Sequence, residues 1–177
     1  MLLRIEKWFD ALSRMIGYVC AFLMIVMMLN IFYDVCMRYA FKSGSIALQE
    51  LEWHLFSVIF LLGMSYALME DSHVRVDVLY AKWSERRQAA VNIIGAVLFI
   101  TPIALLVMFS SLGFVSEAYV SHEVSSAPGG LTQRWILKAF IPFSFAVLLL
   151  MEIGFIVKNI AVYKGLRHAN AQPKETL

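Results

Sequence analysis

LQELEWHLFSVIFLLGMSYALMEDSHVRVD, residues 48–77, decides the fold. An apolar run is entered past Glu50, Glu52 and His54 and left through a dense charged turn. Leu55 to Met69 is fifteen residues without a charge, and counting from Leu48 gives 22. At about 1.5 Å of rise per residue, that length crosses a hydrocarbon core of about 30 Å. The pattern predicts a transmembrane helix over 48–69. Ionisable groups at the mouth of such a helix point to function. Glu50 and His54, four apart, share one helical face, whereas Glu52 lies about 160° from Glu50 around the axis. Two different neighbours are implied.

The composition agrees. Of 177 residues, 60% are hydrophobic and 16% charged, and mean hydropathy is positive. Too little polar surface remains for an ordinary soluble domain, so an integral membrane protein is expected. Cys20 and Cys36 fall on one helical stretch sixteen residues apart, about 24 Å of rise and beyond disulfide reach. They read as apolar packing.

Working outward, LLRIEKWFDALSR sets Ile5, Trp8, Phe9 and Leu12 against Arg4, Lys7, Asp10 and Arg14, the pattern of an interfacial amphipathic helix. Met15 to Tyr33 is 19 uncharged residues, too long for a cleaved signal peptide, and a first span is predicted over about 15–35. Asp34 and Arg38 form an acid-before-base i, i+4 pair, read as a solvated helix end. Ser43, Gly44 and Ser45 break the helix, and Ser45 or a neighbour can cap the next. After 48–69 comes a short basic connection containing His73, Arg75, Asp77 and Lys82, with Trp83 as a second interfacial anchor beside Trp8. A third span is predicted over 89–114, with a tilt or a kink at Pro102. Pro128, Gly129 and Gly130 make a turn, a fourth span follows over 137–160, and 167–177 is a polar tail. Residues 1–166 then form one four-helix transmembrane domain.

The basic residues orient it. Eleven of the fifteen Lys and Arg residues fall on the side of the termini and the second loop, and four, Arg38, Lys42, Arg134 and Lys138, on the other. Both termini are therefore expected to be cytoplasmic. Glu50, His54, Glu117 and the Pro-Gly-Gly turn then face outward.

Little catalytic chemistry is legible. His54, His73, His122 and His168 do not lie at matching depths on different helices, and only His54 and His122 could meet, which argues against a haem held between two helices. No phosphate loop, nucleophile elbow or metalloprotease helix is present. Glu152 and Asn30 are the main polar groups within spans, and Glu152 is expected to be protonated or paired with Lys158 or a partner. The only small-residue seam in view is Gly63 with Ala67. So dry an interior suits a transporter's partner better than a transporter.

Three blocks then carry a resemblance: ALQELEWHLFSVIFLLGMSYAL, EDSHVRVDVLY and APGGLTQRWILKAFIPFSFAVLLL. Together, over about Arg4 to Val162, the chain resembles the small Q-type, DctQ-like subunit of tripartite ATP-independent periplasmic (TRAP) transporters. Many members carry two adjacent acids where Leu51 here separates Glu50 from Glu52; with Trp53 and the Gly-Gly-Leu segment, this is similar to a branch associated with organic acids. The resemblance implies a non-catalytic subunit of the bacterial inner membrane. It would pack against the static scaffold of a large M-type subunit that moves substrate and sodium by an elevator motion. A periplasmic binding protein would dock transiently, membrane lipids would surround the helices, and no cofactor, metal or nucleic acid is implied. Asp34, Arg38, Lys42, Glu50, Glu52, Trp53, His54, His73, Arg75, Asp77, Glu117, Arg134, Trp135 and Lys138 are the candidate contact or structural residues. Two other readings stay open: the membrane anchor of a haem or quinone enzyme, and an autonomous small transporter.

Overall fold

The structure, a computed structural model, describes residues 2–70, 80 and 83–166. His73, Arg75, Asp77, Lys82 and the tail at 167–177 lie outside the described residues. Everything regular within them is helical: α1 Leu2–Ala40, α2 Ile46–Met69, α3 Glu85–Gly95, a π-helical turn Ala96–Ile100, α4 Thr101–Val120 and α5 Trp135–Tyr163. Among the described residues four helices are long and apolar enough to cross a membrane: Arg4–Ala40, Ile46–Met69, Glu85–Val120 and Trp135–Tyr163.

α1 corrects one expectation. The amphipathic opening is not a separate helix lying in the interface, because no Gly or Pro interrupts the chain before Gly17 and the helix runs 39 residues unbroken. That is about 58 Å of rise, well beyond a hydrocarbon core of about 30 Å. Its first turns pack inward: Phe9 is buried and abuts Gly154 on α5, and Ile5 and Leu12 join the same core. Trp8 stays 57% exposed.

The chain reverses at Phe41–Ser45. Phe41 and Ser43 both donate backbone hydrogen bonds to Met37, Lys42 takes a left-handed φ of 53°, and Ser45 stands at the N-cap of α2 in extended conformation. α2 then runs antiparallel to α1, with Asn30 donating to the Leu48 carbonyl at 3.0 Å near one end and Gly17 against the Tyr66 ring further along.

In the third span the break lies ahead of Pro102. Proline has no N–H to give and its ring crowds the preceding turn, so the helix widens at Ala96–Ile100, where the Thr101 N–H reaches back five residues to the Ala96 carbonyl. Such a one-turn π bulge keeps the span continuous while absorbing the register change.

α5 is the hub. α1, α2, α3 and α4 all pack on it, and α1 also packs on α2. Its buried residues, among them Ser144, Leu148, Met151, Gly154 and Phe155, run along most of its length and meet Phe9, Ile16, Cys20, Leu68, Met69, Ala96 and Ala104 in the core. In lipid, tails are as apolar as leucine, so association rests on close packing and interhelical hydrogen bonds. Gly17 and Gly154 let side chains of neighbouring helices, Tyr66 and Phe9, press close against their backbone. Gly63, the expected seam residue, has nothing within 4 Å of where its Cβ would lie. α2 and α4 lack comparable packing among the described residues and flank a cleft floored by α5.

Candidate functional site

At the end of the bundle that carries the 41–45 and 121–134 loops, Glu50 near the start of α2 reaches across to the 121–134 loop. Ser125 donates its hydroxyl to one Glu50 carboxylate oxygen, and the Leu131 N–H donates to the other at 2.6 Å. Ser125 Oγ also accepts the Ala127 N–H at 3.1 Å. Gly130 permits this approach: a Cβ there would lie 2.5 Å from Ser125 Oγ and 2.8 Å from Glu50 Oε2. Backbone bonds from Ser125 to Leu131 and from Arg134 to Glu123 draw the loop together, and Gly129 and Gln133 take left-handed φ values of 82° and 61°. The Pro-Gly-Gly turn is thus one half of a clasp whose other half is Glu50. Charge-assisted bonds of this kind are about twice as strong as neutral ones.

Around the clasp the cations are placed by aromatic rings and acids. Lys138 pairs with Glu123 and lies 3.8 Å from the Phe114 ring centroid, while the Arg134 guanidinium lies 5.5 Å from that of Trp53. Trp135 meets Tyr119 edge-to-face at 5.3 Å. His54 sits 4.1 Å from the Trp53 ring, and its Nδ1 is 2.6 Å from the Glu50 carbonyl of its own helix. Glu52 is half-buried, whereas Lys42, Glu117 and His122 are exposed.

Asp34 departs from its reading as a solvated helix end. It is 0% exposed and paired with Arg38, because α2 folds back over this part of α1 after only a five-residue turn.

At the opposite end a second polar set joins the helices. Asn92 donates to Asn159 at 2.8 Å across α3 and α5, Tyr80 donates to Asn92 at 3.0 Å, and Asn159 returns its amide to the Phe155 carbonyl at 2.9 Å. Lys158 donates to the Met69 carbonyl at 3.1 Å, where the negative end of the α2 dipole accumulates. Arg86 lies 4.5 Å over Tyr163. Between the two ends Glu152, 3% exposed, meets the Thr101 hydroxyl at 2.7 Å. Its partner is therefore a threonine at the π turn, and Lys158 is engaged elsewhere. Ser125, Leu131, Glu123, Thr101 and Asn159 were not singled out by sequence reasoning; the short polar steps beside Gly129, Gly130 and Pro102 were the available signals. Among the described residues no group of three or more His, Cys, Asp and Glu side chains is placed to hold a metal.

With this geometry in hand, two comparisons are informative. The profile of the family described as tripartite ATP-independent periplasmic transporters, DctQ component, matches residues 27–162. A protein of Haemophilus influenzae named as a TRAP transporter small permease protein is 27% identical over 121 residues, which is 68% of this chain and 75% of that protein.

Proposed function

The chain belongs to the DctQ component of the TRAP transporters, a multi-pass membrane component of a transporter rather than an enzyme, and on that premise we propose a division of labour. The chain is the non-catalytic scaffold partner of a large M-type subunit in the bacterial inner membrane, with both termini cytoplasmic. The large subunit imports organic anions with sodium by an elevator motion, and a periplasmic binding protein delivers them to the face that carries the Glu50 clasp.

One observation carries this reading: the ionisable groups within the spans are consumed internally. Asp34 is paired with Arg38, Glu50 with the 121–134 loop, Glu152 with Thr101 and Lys158 with the end of α2. A transport path needs polar groups or broken backbone open to a cavity near the midplane. Here Glu50, Glu152 and Lys158 tie separate segments of the bundle together, and Asp34 is paired within its own helix, which suits a body that stays fixed while another moves. The M subunit, the binding protein and surrounding lipid are the partners.

Proteoliposomes test it. Vesicles holding the large subunit and this chain, given the binding protein and an inward sodium gradient, take up radiolabelled carboxylic acids from a panel; omitting this chain abolishes uptake. Uptake by vesicles holding this chain alone would overturn the proposal.

A further inference from the structure

Where α2 and α4 splay apart, a cleft of about 400 Å³ opens over α5. Its walls are Phe56, Phe60, Phe114, Leu137 and Ile141, and Trp53, Arg134 and Lys138 stand at its loop-side end. α2 and α5 run in the same direction here, and seven residues separate Trp53 from Phe60 and Arg134 from Ile141, about 10 Å along the axis. The polar end of the cleft is therefore near the headgroups and the apolar end within the hydrocarbon.

The two cations differ. Lys138 is neutralised by Glu123. The Arg134 guanidinium rests against Trp53; among the described residues no carboxylate forms an ion pair with it, and Glu50, held by Ser125 and Leu131, acts on it only through space. A planar guanidinium suits a phosphate because its fork can hold two oxygens. The cleft is lined mostly by apolar side chains along about 10 Å, a form that suits an extended acyl chain below a charged group.

From this charge and shape we propose that the cleft binds one anionic glycerophospholipid, its phosphate on Arg134 and an acyl chain laid along α5 between Phe60 and Phe114. Bound there, the lipid fills the gap between α2 and α4 and completes the bundle on that side.

The full chain reconstituted in bilayers provides the test. Replacing Trp8, Trp83 and Trp135 by Phe leaves Trp53 as the single tryptophan, and its fluorescence is quenched by brominated lipid seated beside it. Brominated phosphatidylglycerol is expected to outcompete brominated phosphatidylcholine at Trp53 by about fivefold, the factor equivalent to about 1 kcal/mol for a basic residue near an anionic surface. In Arg134→Gln the preference falls to about one. Ile141→Phe, which narrows the cleft and keeps the cation, also lowers it. No preference in the parent, or a preference that survives either substitution, overturns the proposal. Native mass spectrometry of the chain co-purified with its large partner should show one retained phosphatidylglycerol, lost in Arg134→Gln. No retained lipid in that complex, with Trp53 shielded from both brominated lipids, would assign the cleft to a partner helix instead.

Discussion

Gly154→Ala should weaken the bundle even though alanine is the better helix former. A Cβ at 154 would lie 2.5, 2.7 and 2.8 Å from Phe9 Cγ, Cβ and Cδ1, where carbon atoms ordinarily rest about 3.5–4.0 Å apart. Phe9 is buried, and the clash reaches the base of its side chain, so a rotation of the ring alone does not relieve it. α1 must move by about 1 Å. Overpacking of this size costs about 1–3 kcal/mol, and the gain in helix propensity returns about 0.5–1 kcal/mol. The net expectation is a loss of up to about 2.5 kcal/mol, centred at about 1 kcal/mol. Gly113 provides the control, because nothing lies within 4 Å of its Cβ position; Gly113→Ala should be neutral or stabilising by about 0.5–1 kcal/mol. Reversible unfolding by SDS in mixed micelles, followed by far-UV circular dichroism, reads both. The double variant with Phe9→Ala should recover part of the loss, so that the two effects are less than additive. If Gly154→Ala behaves like Gly113→Ala, or if the two substitutions simply add, the close α1–α5 contact is not what holds these helices together.

Three further outcomes follow from the polar contacts. Thr101→Val strands the Glu152 carboxyl and should cost about 1–3 kcal/mol, whereas Glu152→Gln keeps a partner for Thr101 and should cost less than about 1 kcal/mol; the same unfolding assay ranks them, and the reverse order would remove the pair from the account. Asn159→Leu breaks the Tyr80–Asn92–Asn159 chain and should cost about 0.6–2 kcal/mol, the range for interhelical hydrogen bonds in membranes, with no loss at all as the contrary result. Glu50→Ala should free the 121–134 loop, read as faster hydrogen exchange at the Leu131 amide and faster proteolytic cleavage between Glu123 and Arg134; unchanged exchange there would mean that the loop's own backbone bonds suffice.

The four spans were legible because crossing a membrane imposes a length and an apolar composition that Leu55–Met69 and Ala89–Phe114 meet without ambiguity. Ser43–Ser45 and Pro128–Gly130 likewise marked the two turns at one end by the chemistry of glycine, serine and proline. Contacts between spans were much less legible. Every face of a membrane helix is apolar, so the alternation that betrays a buried face in water is missing; Gly63 with Ala67 was the seam that spacing suggested, whereas the close approach is at Gly154, against Phe9. Glu50 stood out as an acid at the mouth of a span, but its partners lie 75 and 81 residues away in sequence, and no local spacing connects them. A separation of 51 residues likewise hid Thr101 from Glu152. Asp34 was misjudged for a related reason: its i, i+4 pairing with Arg38 was visible, whereas its burial depends on how sharply α2 turns back over α1.

Affinity purification of this chain from its native membrane in mild detergent, with identification of what remains bound, tests the central claim most directly. A large polytopic protein retained in roughly equal amount is the predicted result. A flavoprotein or a coloured haem complex in its place, or this chain alone with transport activity of its own, would contradict it.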